Sequence, residues 1–185
     1  IQDSLVGSEM CIRDRNKRDE LEPLCDLAVR ALDEIIDHQK YPIDAAEKST
    51  KARRSLGIGY IGLAHYLAKK GYKYDQKLAW RQVDKLTEAF QFYLLSASNT
   101  LAKEKGKCAY FDRTKYADGI LPIDTYKKDV DEIVKREYTY DWEWLRGEIK
   151  KHGLRHSTLS AQMPSESSSV VSNATNGIEP PRDFI

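Results

Sequence analysis

Leu154-Arg155-His156-Ser157-Thr158-Leu159-Ser160-Ala161-Gln162-Met163-Pro164-Ser165-Glu166-Ser167-Ser168-Ser169-Val170-Val171-Ser172-Asn173-Ala174-Thr175-Asn176-Gly177 is the stretch on which the fold class turns. Across 154–162, Leu154, His156, Thr158 and Ser160 alternate with Arg155, Ser157, Leu159 and Ala161, the period of a strand. Pro164 ends it, because proline cannot continue a hydrogen-bonded ladder. Ser165 is a good helix N-cap, its hydroxyl placed to accept the amide hydrogens of Ser167 or Ser168. Residues 166–172 then make two short helical turns, and Asn176-Gly177 closes the unit. A strand, a tight turn and a helix start form an α/β unit.

That helix start has a chemical use. Its first amides lack intrahelical partners, and the helix dipole places a partial positive charge there. Hydroxyls at Ser165, Ser167 and Ser168 add donors, so the turn is a natural seat for a phosphate. Glu166 opposes an anion unless its carboxylate points outward. A self-capped serine turn has the same local sequence, and physics alone leaves both readings open.

Helical periods surround this unit. Over 19–39, Leu21, Leu24, Cys25, Ala28, Leu32, Ile35 and Ile36 recur at spacings of three and four, and Tyr41-Pro42 ends the run. Residues 76–105 read as one long helix whose apolar face carries Leu78, Val83, Leu86, Ala89, Phe90, Tyr93, Leu94, Ala97 and Leu101, with Gly106 as its stop. A shorter helix over 63–70 is expected, and two more over 125–135 and 141–152, the last ended by Gly153. Trp142 and Trp144 read as packing residues. His156 has no acid or cysteine close by in sequence, so a structural role is favoured over a dyad.

Gly57, Gly59 and Gly62 fit G-x-G-x-x-G, but a dinucleotide turn needs a buried strand before the first glycine. Lys51, Ala52, Arg53, Arg54 and Ser55 cannot supply one. The glycines are better read as a short strand that lets a neighbour approach closely.

Composition excludes other classes. The 185 residues are 41% hydrophobic and 32% charged, as in a soluble globular domain. Thirty basic and 29 acidic side chains, net +1, form no basic stripe for nucleic acid. No apolar run approaches a membrane span. Cys11, Cys25 and Cys108 are too sparse for a disulfide framework or a zinc site, so a reducing, cytoplasmic setting is expected. Cys25 lies on an apolar stripe and reads as a small buried hydrophobe.

Residues 1–15 have neither helical nor strand period. Back-translated, Leu5 to Glu9 fits CTC GTG GGC TCG GAG and Met10 to Asp14 fits ATG TGT ATA AGA GAC, one frame of an adapter used in transposase-based sequencing libraries. The segment is expected to be a disordered, adapter-derived leader, with the protein's own sequence at 16–185. Cys11 then carries no redox role.

HGLRHSTLSAQMPSESSSVVSNATNGIEPPR (152–182) resembles the substrate-phosphate segment of the class Ia ribonucleotide reductase alpha-subunit family, bacterial and phage type. ARRSLGIGYIGLAHYLAKKG (52–71), QFYLLSASNTLAKEKG (91–106) and KYADGILPIDTYKKDVD (115–131) resemble the same family in the same order. The resemblance implies an α/β fold, with this chain a helix-rich partial segment of a ten-stranded α/β barrel. It implies reduction of ribonucleoside diphosphates to 2′-deoxyribonucleoside diphosphates by radical chemistry. It makes Ser165, Glu166, Ser167 and Ser168 the ligands of the substrate diphosphate, mainly through backbone amides and serine hydroxyls, with Pro164 shaping the turn.

By the same resemblance no catalytic residue is expected in this chain. The radical-bearing and reducing cysteines, and an Asn and a Glu near the ribose, belong upstream. Cys25 and Cys108 do not match them. The tyrosines that pass the radical and the C-terminal redox cysteines belong downstream. No cofactor is implied here; the parent depends on a dimetal/tyrosyl-radical small (beta) subunit, on ATP and dNTP effectors bound elsewhere, and on thioredoxin or glutaredoxin. The parent is expected to be oligomeric, and this piece alone inactive. Two other classes fit the residues without the resemblance. One is a helical interaction protein docking through 76–105; the other is a phosphate-binding module of a different α/β enzyme.

Overall fold

A computed structural model of the chain describes residues 18–133 and 137–181. Residues 1–15, expected to be a leader, with Cys11, and Arg182 of the serine-rich string lie outside the described residues. Within them the order is α1 (Arg18–His38), α2 (Asp44–Arg53), α3 (Leu63–Lys69), α4 (Lys77–Lys105), two 3₁₀ turns (Phe111–Arg113 and Pro122–Asp124), α5 (Val130–Ile133), α6 (Trp142–His152) and α7 (Glu166–Ser172).

Helix α4 is the axis of the molecule. Its first turns are half-exposed, and Leu78 on the expected apolar face lies 56% exposed. From Glu88 onward it is enclosed: Ala89, Phe92, Leu94, Leu95, Ala97, Leu101 and Ala102 are buried, and so are the polar Ser98 and Asn99. α1 covers one side through Leu21, Cys25, Ala28, Val29 and Leu32. α6 covers another through Trp142, Leu145 and Ile149. Each such buried aliphatic side chain contributes roughly 1.5–3 kcal/mol of transfer free energy, so this three-helix contact dominates the core.

Two expectations about α1 and α6 change. Ile35 is 46% exposed, because it looks into an open groove beside Leu56 and Met163 rather than onto α4. Trp144 is 52% exposed, so only Trp142 packs. Asp141 starts α6 by accepting the Trp144 amide hydrogen at 2.9 Å, and Gly153 ends it at φ 77°.

The 154–162 segment is extended but is not a full strand. Among the described residues the only bridge recorded is the isolated parallel one between Ile58 and Ser160. The Ile58 amide donates to Leu159 O at 2.9 Å and the Ala161 amide to Ile58 O at 3.1 Å. Two residues earlier the Leu56 amide reaches Thr158 O, which puts the register one residue out. The slip is visible in burial: Leu154, His156 and Leu159 are inward, so the alternation breaks between the second and third. The expected α/β unit is thus a helix-rich framework with one nascent parallel pair.

The expected 125–135 helix shrinks in its described part to the single turn Val130–Ile133. Asp124 instead closes the preceding 3₁₀ turn by accepting the Leu121 amide at 2.7 Å and pairing with Arg146.

Candidate functional site

The serine loop sits where the parallel pair ends. Ser165 is 6% exposed, and its amide donates to the Asn176 Oδ1 at 2.5 Å. Its hydroxyl does not cap α7 as expected; it turns inward toward Met163 O at 3.5 Å. Asn176, from the far end of the loop, fixes the Ser165 backbone through the same amide contact. The helix start therefore has no side-chain cap from Ser165 to compete with an anion for the amides of Glu166, Ser167 and Ser168.

The other serines brace the turn. Ser169 Oγ donates to Glu166 O at 2.8 Å and Ser172 Oγ to Ser168 O at 2.8 Å. Asn173 ends α7 in the left-handed region at φ 51°, and Ala174 N returns to Ser169 O. Beyond it, Gly62 N donates to Thr175 O at 2.9 Å, tying the loop to the start of α3. Pro164, Glu166 and Ser167 are exposed, and Ser168 is half-buried. A cleft of about 260 Å³ lies beside the loop, lined by Gln162, Pro164, Asn176, Gly177 and Glu179 among others. Among the described residues no lysine or arginine lines it, and the groups there that suit an anion are backbone amides and the helix dipole.

Sequence proximity had concealed the partner of His156. Its Nε2 lies 3.1 Å from Asp33 Oδ1 and its Nδ1 2.9 Å from Ser98 Oγ. Since the carboxylate accepts from Nε2–H, Nδ1 accepts from the Ser98 hydroxyl. The order Ser–His–Asp is that of a nucleophilic triad, but all three side chains are fully buried, and no substrate can reach the hydroxyl. Burial would raise the Asp33 carboxyl, yet hydrogen bonds from His156 and Arg54 and the nearby arginine charges outweigh it and hold it well below the usual carboxylate range. Burial pushes the His156 imidazole below its ordinary 6.5, against the pull of Asp33. The arrangement joins elements; it does not catalyse.

Burial raises the Cys108 thiol, which keeps it from being a reactive thiolate, and Cys25 and Cys108 are both buried and in no disulfide. Among the described residues, no group of three or more His, Cys, Asp or Glu is placed to hold a metal ion. No described helix is long and apolar enough to cross a membrane.

Residues 6–185 match the family described as ribonucleotide reductase, barrel domain. The chain belongs to that family. Among its relatives, the ribonucleoside-diphosphate reductase subunit alpha of Buchnera aphidicola subsp. Acyrthosiphon pisum is 58% identical over 167 residues, 90% of this chain and 22% of the relative. The ribonucleoside-diphosphate reductase 1 subunit alpha of Escherichia coli K12 is 60% identical over 150 residues, 81% of this chain and 20% of that protein. The subunit alpha of Enterobacteria phage T4 is 46% identical over 169 residues, 91% of this chain and 22% of it. The chain thus spans about a fifth of the length of these curated relatives. Ribonucleotide reductase membership fits the bacterial and phage resemblance of the serine-rich string, and it makes the helix-rich framework with its nascent strand pair one part of a barrel-domain family.

Proposed function

We propose that this chain is a segment of the alpha subunit of a ribonucleoside-diphosphate reductase, and that Pro164, Ser165, Glu166, Ser167 and Ser168 seat the diphosphate of the substrate. The observation that carries the site is the uncapped start of α7, where Ser165 turns its hydroxyl inward and Asn176 holds its amide. The Ser165 hydroxyl does not occupy the first-turn amides, so those of Glu166 and Ser167 face the side a phosphate would take, and the exposed Glu166 side chain is free to turn to solvent. The parent reaction is reduction of the ribose 2′-hydroxyl by radical chemistry. This segment contributes binding and orientation to it, and none of its own residues reacts.

In this reading the described residues belong to a ten-stranded α/β barrel, and the Ile58–Ser160 bridge is part of its sheet. The partners are those of the parent: the radical-generating small subunit with its dimetal centre, a thioredoxin or glutaredoxin reductant, and ATP or dNTP effectors bound outside this segment. The parent works as an oligomer. Family membership favours this reading over a helical docking module.

The test is Ser168→Glu in a full-length alpha subunit that carries this segment. Position 168 is the third residue of α7, where a glutamate is well tolerated by the helix, so folding is preserved. The new carboxylate competes for the first-turn amides and repels the diphosphate. Binding of a nucleoside diphosphate, read by calorimetry, is expected to weaken by at least about tenfold, the equivalent of about 1.4 kcal/mol. Unchanged affinity would refute the assignment.

A further inference from the structure

The buried Ser98–His156–Asp33 relay and Arg54 form the core of a larger charged cluster whose outer members, Glu34, Asp37 and Lys105, reach solvent. From α1 come Asp33, Glu34 and Asp37; from the junction after α2 comes Arg54; from α4 come Ser98 and Lys105; and Arg155 precedes His156 itself. Arg54 Nε donates to Asp33 Oδ1 at 2.6 Å, and its two terminal nitrogens donate to the Asp37 carboxylate at 2.8 Å each. Arg155 Nε lies 3.3 Å from Asp33 Oδ1, and its Nη1 donates to the carbonyls of Lys105 and Gly106. Lys105 Nζ lies 3.7 Å from Asp33 Oδ2 and pairs with Glu34. The Cys108 thiol, kept protonated by burial, adds no charge. The cations Arg54, Arg155 and Lys105 are matched by the anions Asp33, Glu34 and Asp37.

The cluster sits at the root of both extended segments. Arg54 is a non-glycine residue in the left-handed region, φ 48° and ψ 48°, a conformation that persists only where its surroundings hold it. Its amide, donating to Thr50 O at 2.7 Å as the helix C-cap, and its guanidinium, bonded to Asp33 and Asp37, together hold it. One residue earlier, Arg53 O accepts the Ser157 amide at 3.0 Å, and one residue before that, His156 enters the relay. The Ile58–Ser160 bridge and the serine loop both lie downstream of these roots.

We propose that the buried Ser98–His156–Asp33 relay, with Arg54, is an acid-sensitive latch that holds the roots of the 53–58 and 157–161 segments together and loosens them when His156 takes up a second proton. An imidazolium adds a cation to a cluster that is already balanced, facing Arg54 and Arg155 in a site closed to water. It also makes Nδ1 a donor, forcing the Ser98 hydroxyl to turn from donor to acceptor. Because the folded His156 value lies below the ordinary 6.5, the latch's contribution is complete above pH 6.5 and is lost as pH falls toward the folded value. The Asp33 carboxyl acts separately: it is depressed from its ordinary 3.8, so its contribution is lost only below that pH.

The test is amide hydrogen exchange of Ile58 and Ala161, whose amides carry the bridge, in the full 185-residue chain between pH 6.5 and 5.0. After correction for intrinsic exchange, one coupled proton raises the opening constant by up to about tenfold per pH unit. His156→Gln, which keeps a donor toward Asp33 but does not titrate, is expected to flatten that dependence relative to the unsubstituted chain. Equal pH dependence in the two would overturn the latch. Proton NMR titration of the His156 ring in the unsubstituted chain needs no variant: a midpoint below 6.5 supports the latch, and a midpoint at or above 6.5 overturns it.

Discussion

Gly59 is the residue whose identity the structure most strictly demands. A Cβ there would collide with the Ala161 carbonyl oxygen, which accepts this close approach only because glycine has no side chain. Gly59→Ala must therefore displace backbone, and the expected loss is about 1–3 kcal/mol, measured as a lower urea midpoint with an unchanged m-value. A variant as stable as the parent chain would show that the two segments do not pack as described. This requirement was legible in the sequence, since the glycines lacked the strand that a dinucleotide turn needs. The Asp33 partner of His156 was not legible, because the two are 123 residues apart and only the fold joins them. Nor was the use of Asn176 to hold the Ser165 amide: Asn176-Gly177 reads as a turn, and the side chain's reach back across the loop depends on the loop closing. The cap expected of the Ser165 hydroxyl is therefore not made: that hydroxyl faces Met163 O, and the asparagine holds the Ser165 amide rather than the first-turn amides.

Among the elements, α4, α1 and α6 were plain from their periods and stops, because each buries a stripe and each has a glycine or proline boundary. α2 (Asp44–Arg53) was not foreseen: it buries no residue, so no apolar period marks it, and Tyr41-Pro42 reads as a stop. The buried polar residues of α4 were hidden for a related reason, since a carboxylate inside a core looks from sequence like a surface residue. Glu88, 6% exposed, accepts hydrogen bonds from the Thr139 amide at 2.7 Å, the Tyr140 amide at 3.2 Å and Trp142 Nε1 at 3.1 Å. It thereby pins the entry to α6 against α4, beside the stacked Phe92 and Tyr140 rings at 4.7 Å. Glu88→Ala strands these donors, and a loss of about 3 kcal/mol is expected in chemical denaturation. Glu88→Gln keeps a carbonyl oxygen at the site and should lose less. Equal stability of all three forms would mean that the carboxylate does not organise this junction.

At the level of the whole molecule, family membership and local structure point the same way. The helices are well packed, while the parallel pair is reduced to one bridge beside an open groove of about 460 Å³ lined by Leu32, Ile35, Leu56 and Met163, among others. Val170 and Val171 on α7 are 80% and 84% exposed. Edges and faces of this kind are what the proposed barrel would cover, and they explain why a strand read from sequence at 154–162 is present here only in outline. The central claim remains the seat at the start of α7. It is tested most directly by a crystal structure of a full-length alpha subunit carrying this segment, soaked with a nucleoside diphosphate. The account predicts phosphate oxygens within hydrogen-bond distance of the amides of Glu166, Ser167 and Ser168. Diphosphate density bound elsewhere in the barrel, with this loop empty, would contradict it.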